Sequence, residues 1–231
     1  MEFSNPLIEG TILNRYKRFL ADVEILNETI VAHVPNTGSM TSCWAPHWPC
    51  ALSKSDNPSR KLPYTLELTH NGESWIGVNT ANANKVAKIW LNEGLIPELR
   101  GYQTVIAEKK IGDSRVDFYL ENNPAAPACY VEVKSVTLKL DNIAQFPDSV
   151  SLRGQKHLRE LIKIKESGLR AVMLFVVQRE DVKIFRPAQS IDPEYSRLLK
   201  EAHDSGVEIF VYQCRISLTG ITLGKQLTIE L

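Results

Sequence analysis

Residues 1 to about 80 carry short runs in which apolar and polar side chains alternate, around Gly10 to Phe19, Asp22 to Leu26, Thr29 to Val34, Tyr64 to His70 and Trp75 to Asn79. Alternation with period 2 puts successive side chains on opposite faces of a strand, and the Gly, Asn and Pro residues between runs mark turns. After Asn79 the pattern changes. Asn82 to Asn92 carries Val86, Ile89 and Trp90 at helical spacing and stops near Gly94, and Tyr102 to Ile111 is extended again. A helix from about Gly154 to Glu166 turns Leu158, Leu161 and Ile162 to one side, with Gly168 as its stop. Ala171 to Val177 is a continuous apolar run, as in a strand covered on both faces. Asp192-Pro193 starts another helix with Leu198, Leu199 and Ala202 inward and Gly206 as terminator, and Val207 to Ser217 alternates as a strand.

Five short strands without an intervening helix predict an OB-like β-barrel over residues 1–80, a fold whose grooves commonly take oligonucleotides. The later order, with helices between strands, predicts an α/β (α+β) unit over 81–231, a mixed sheet flanked by helices. The 231 residues suffice for a core without staples. The four scattered cysteines are too sparse for a disulfide framework. Cys43, His47 and Cys50 are three zinc-ligand types without a fourth nearby, so an aromatic loop is the simpler reading of Cys43 to Cys50. No apolar run approaches the roughly 20 residues that span a bilayer, and the first residues lack the basic and apolar regions of a secretory signal. A cytoplasmic protein with no membrane partner is expected.

Lys+Arg and Asp+Glu both number 27, so contact with nucleic acid must come from local patches. One is Lys54, Arg60 and Lys61 in a polar loop. Another surrounds the second helix, with Arg153, Lys156 and His157 at its start; a solvated helix face is the competing reading. Pro35-Asn-Thr-Gly38 reads as a tight turn with Asn36 bonding its own backbone and Gly38 at positive φ, or as exposed Asn36 and Thr37 facing phosphates. Asn79 to Asn84 reads as a helix cap or a polar rim. Trp44, Trp48 and Tyr64 fit the barrel core or a base-stacking surface.

The strongest chemical signal is the pair Arg115-Val-Asp-Phe-Tyr-Leu120 and Cys129-Tyr-Val-Glu-Val-Lys-Ser-Val136. Alternation puts Val116, Phe118 and Leu120 on one face, with Val131 and Val133, and Asp117, Glu132 and Lys134 on the other. Two carboxylates at one place repel unless a cation neutralises them. Asp117 and Glu132, with the carbonyl of Val133, can hold Mg²⁺ or Mn²⁺, which keeps several waters, while Lys134 stands beside a nucleophilic water for phosphodiester hydrolysis. Glu98 is a third candidate carboxylate.

This arrangement resembles the PD-(D/E)xK nuclease superfamily, with Val116 where the motif's Pro would stand. The resemblance implies a residue contributed by the following helix, with Gln155 and Lys156 nearest. More specifically, His33-Val-Pro-Asn-Thr-Gly-Ser-Met40, Val131-Glu-Val-Lys-Ser-Val136 and Arg153-Gly-Gln-Lys-His-Leu-Arg-Glu-Leu161 together resemble the sugar fermentation stimulation protein family over essentially the whole chain. That resemblance implies an N-terminal OB-like barrel, a PD-(D/E)xK-like domain, DNA as partner with little sequence preference, and a link to maltose metabolism. It leaves open a metal-dependent nuclease or a DNA-binding regulator without catalysis.

Overall fold

The computed structural model describes residues 1–111 and 114–231. Its first strands are β1 (Ile8–Tyr16), β2 (Leu20–Ile25), β3 (Glu28–His33), β4 (Pro49–Lys54) and β5 (Tyr64–His70). They pair in the cyclic order β1-β2-β3-β5-β4 and back to β1, closing a five-stranded barrel. Ile12, Val23, Ala32, Leu52 and Leu66 fill it, and Trp44, Trp48 and Tyr64 pack against that core. Cys43 and Cys50 are free thiols buried in the same core. Burial raises both thiols, Cys50 to about 12, which keeps them protonated. The loop expected over Cys43 to Cys50 thus leads into β4, a strand the sequence pattern did not show.

The chain continues through β6 (Trp75–Gly77), α1 (Ala81–Asn92), β7 (Thr104–Ile111), β8 (Ser114–Glu121), β9 (Cys129–Val136), β10 (Leu138–Leu140) and β11 (Ile143–Phe146). It ends with α2 (Leu152–Glu166), β12 (Arg170–Val177), β13 (Ile184–Pro187), α3 (Pro193–Asp204), β14 (Glu208–Ser217), β15 (Gly220–Gln226) and β16 (Thr228–Ile229). A six-stranded mixed sheet has the order β15-β14-β12-β9-β8-β7, with β9, β12 and β14 parallel. The short strands β10, β11, β13 and β16 form a second sheet. As expected of a strand covered on both sides, β12 is fully buried from Ala171 to Val177. On one face Val172, Leu174 and Val176 join Trp90 of α1. On the other, Ala171, Met173 and Phe175 join Leu158 and Leu161 of α2 and Leu198 of α3.

The helix ends follow local chemistry. The Ser151 hydroxyl accepts from the Gly154 N–H at the start of α2, and the Asp192 carboxylate accepts from the Tyr195 N–H at the start of α3. Gly168 and Gly206 end these helices at positive φ, where other residues pay a steric cost. Among the described residues no helix is long and apolar enough to cross a membrane.

The barrel is fastened to the larger sheet by buried polar contacts. Arg179, only 1% exposed, donates to the carbonyls of Ser42 at 3.0 Å and Thr137 at 2.7 Å. It pairs with Asp181, which also accepts from Lys139 and Asn71.

Candidate functional site

A cleft of about 380 Å³ opens where the barrel meets the sheet, lined by Asn36, Thr37, Asn84, Asp117, Glu132, Val133, Lys134, Asp148 and Arg153 among others. Two strands and a helix carry its carboxylate side. Residues 117 of β8 and 132–134 of β9 come from neighbouring strands, whose antiparallel pairing runs from Leu120 and Cys129 only as far as Phe118 and Val131. Beyond that point the Asp117 carboxylate accepts from the Val133 N–H at 2.8 Å, so a side chain replaces a ladder bond and ties the two strands at the cleft. The Asn84 amide of α1 donates to the other Asp117 oxygen at 2.7 Å.

Val116, Phe118 and Leu120 do not share the expected common face. Phe118 and Leu120 join the core on the α1 side, whereas Val116 joins the α2 side. The side chains on either side of Asp117 thus face opposite layers, and strict alternation ends at the residue where β8 also leaves its pairing with β9.

Glu132 is 3% exposed. Its Oε1 accepts from Lys134 Nζ at 2.7 Å and from His157 Nδ1 of α2. Burial opposes its ionisation, but the His157 bond and the Lys134 charge outweigh it and hold the carboxyl below the ordinary carboxylate range. Asp117 goes the other way: burial and the Glu132 charge raise it, against the Val133 N–H and the Asn84 amide. A negative site already bearing Glu132 resists a second negative charge, which a cation between them would relieve. Among the described residues no cluster of three His, Cys, Asp or Glu has metal-holding geometry, so any cation would rest on these two carboxylates with backbone and water oxygens, a donor set that suits Mg²⁺.

Several candidate residues sit elsewhere. Glu98, in a Pro97–Leu99 turn, is outside the cleft: its carboxylate accepts from the Tyr212 hydroxyl at 2.8 Å and the Gln226 amide at 3.2 Å, and its backbone carbonyl from Arg170. Gln155 is buried, its amide donated to Asp192, because its helical position faces α3. Lys156 is exposed beside Glu160. His157 is not the solvated or phosphate-facing residue expected but is buried behind Glu132. Helical spacing carried that signal, since Gly154, His157, Leu158, Leu161 and Ile164 form one buried stripe.

Asn36 is likewise 4% exposed rather than presented to phosphate; its amide donates to the Val78 carbonyl and its oxygen accepts from the Gly38 N–H. Thr37 beside it is exposed on the cleft wall. Gly38 does not take the expected positive φ. Its lack of a side chain serves close approach, since a Cβ there would lie 2.0 Å from Asp148 Oδ2. In the 79–84 stretch both readings hold at different residues: Asn79 Oδ1 accepts from the Ala81 N–H at the helix start, and Asn84 reaches the cleft. Lys54 ends β4 and lies over the Tyr64 ring. Arg60 bonds Thr65, and Lys61 is exposed; these three line no part of the cleft.

Comparison with known proteins covers both parts of the chain. The family model "SfsA N-terminal OB domain" matches residues 13–78, and "Sugar fermentation stimulation protein RE domain" matches residues 81–220. The chain is 50% identical to a sugar fermentation stimulation protein homolog of Pseudoalteromonas atlantica over 98% of each chain. It is 47% identical to one of Geotalea uraniireducens over the full length of both. Among solved structures it is similar to Pyrococcus furiosus SfsA in complex with Ca²⁺, with a TM-score of 0.89 at 31% identity, covering 100% of this chain and 98% of that one.

Proposed function

The chain belongs to the sugar fermentation stimulation protein family, and from that premise we propose that it binds DNA and hydrolyses phosphodiester bonds with a divalent metal, Mg²⁺ or Mn²⁺. The observation that carries the proposal is the convergence of Asp117 and Glu132 with Lys134 in one solvent-reached cleft. The raised Asp117 carboxyl fits a place prepared for a cation. The Ca²⁺ complex of the Pyrococcus furiosus relative supports a hard cation bound by oxygens.

Asp117 and Glu132, with the Val133 carbonyl, would hold the cation. When bound it supplies Lewis-acid polarisation of a phosphoryl oxygen and an acidified water. Lys134 Nζ has three donors; one goes to Glu132, leaving others for the water or the scissile phosphate. Arg153, on the cleft wall, offers a planar fork for phosphate oxygens. Thr37 offers a hydroxyl from the same cleft, and the exposed Lys54, Arg60, Lys61 and Lys156 provide charge for DNA backbone farther away.

A second reading, a non-catalytic regulator of sugar metabolism that binds DNA on a nuclease-like scaffold, draws on the engagement of Glu132 Oε1 by Lys134 and His157. Nicking of supercoiled plasmid separates the two. With Mg²⁺ or Mn²⁺ the protein is expected to nick, and Asp117→Ala to lose this at least about 100-fold while its gel-shift affinity for DNA survives. Equal nicking by the two preparations identifies a contaminant, and binding without nicking in any divalent metal favours the regulator.

A further inference from the structure

We propose, resting on the metal-binding reading above, that His157 is a positioning residue: held as its Nδ1–H tautomer by Arg153, it fixes Glu132 so that one carboxylate oxygen stays free for the cation. His157 lies behind Glu132 rather than in the cleft, whose lining includes Glu132, Lys134 and Arg153. Its side chain is 9% exposed and that of Glu132 4%, so water does not compete for the bond between them. It therefore does not meet substrate; it acts through the carboxylate.

The proton's place follows from donor chemistry. Arg153 Nε lies 3.3 Å from His157 Nε2, and a guanidinium nitrogen only donates. Nε2 must accept, so the ring's single proton sits on Nδ1, which faces Glu132 Oε1. Lys134 Nζ, 3.1 Å from Nδ1, is also donor-only and cannot bond a protonated Nδ1; its bond goes to Glu132 Oε1 instead. Two donors thus converge on Oε1, and Oε2 is the oxygen they leave free on a residue that lines the cleft. Arg153 and His157 stand one turn apart on the same side of α2. Gly154 between them lets α2 approach α3, since a Cβ there would lie 3.0 Å from the Tyr195 ring.

Outer partners that orient a metal-binding carboxylate typically matter about 10–100-fold in metal affinity. The test uses the full-length protein and calorimetric titration with CaCl₂. His157→Asn places an amide N–H where Nδ1–H stood, while His157→Leu keeps bulk without a donor. Ca²⁺ affinity is expected to stay within about threefold of wild type in His157→Asn and to fall about 10–100-fold in His157→Leu, although both lose the Arg153 acceptor. His157→Leu binding Ca²⁺ like wild type, or His157→Asn losing as much as His157→Leu, overturns the proposal. Wild type binding no Ca²⁺ instead overturns the metal-binding reading beneath it. Should His157→Leu fail to fold, ¹⁵N NMR of the wild-type imidazole decides: a proton on Nδ1 is expected, and a ring carrying its proton on Nε2 overturns the assignment.

Discussion

Asp117 holds a carboxylate where the surroundings disfavour its charge. Burial and Glu132 raise it, against the Val133 N–H, the Asn84 amide and Lys134. An acid with a raised native pKa keeps its proton after the unfolded chain has lost it near pH 4. The native state then binds more protons, so stability falls as pH rises from the unfolded to the folded value and stays reduced above it. Asp117→Asn removes that penalty, and its amide can still serve Val133 and a flipped Asn84. Its apo Tm is expected to exceed that of wild type at pH 7, by about 2–4 °C per kcal/mol recovered, with the gain vanishing below about pH 4. A lower Tm at pH 7 would mean that the ionised carboxylate stabilises the fold, contrary to this account. Such a penalty is what the proposed role as a cation ligand would require Asp117 to carry in the apo protein.

The elements matter through what they present to the cleft, and α2 matters most because it carries Arg153 and His157. Its start is tied to α3 by Asp192, whose carboxylate accepts from the Ser151 N–H, the Gln155 amide and the Tyr195 N–H. Asp192→Ala removes a helix cap and strands buried donors, so urea denaturation is expected to report a loss of about 2–4 kcal/mol; a loss under about 0.5 kcal/mol would show that the two helix ends do not depend on it. Much of this architecture is legible in the chain itself. The alternation of β9 shows because one face meets apolar core and the other a polar cleft. The run in β12 shows because both faces are covered. β4 escapes because Cys50, Ala51 and Leu52 are buried in succession and leave no period. β10, β11 and β13 are too short to carry one. In the site, Glu132 and Lys134 follow from period 2 along β9, whereas the alternation of β8 breaks at Asp117. Helical spacing shows that His157 is buried but not that it meets Glu132, and nothing local shows that Asn84 meets Asp117, because tertiary packing brings α1 and α2 to those carboxylates. Glu98 misleads for the same reason: a carboxylate near a turn gives no sign that Tyr212 will claim it.

Across the whole molecule, the cleft exists only while barrel and sheet stay together, and Arg179 with Asp181 does much of that fastening. Burial opposes the Asp181 charge, but its bonds to Arg179 and Lys139 hold the carboxyl well below the ordinary range. A depressed acid stabilises the fold above its unfolded pKa, near 4, and that stability is lost as pH falls through the folded value. Asp181→Asn leaves the buried Arg179 guanidinium without its counter-charge, and a loss of about 3–5 kcal/mol is expected in urea at pH 7, shrinking as acid titrates the wild type; a pH-independent difference would contradict this origin. The central claim, that Asp117 and Glu132 hold a divalent cation, is tested most directly by anomalous diffraction from crystals grown with MnCl₂. The account predicts a manganese peak about 2.0–2.3 Å from oxygens of both carboxylates. Well-ordered crystals with Mn²⁺ at other sites and none between these two side chains would contradict it.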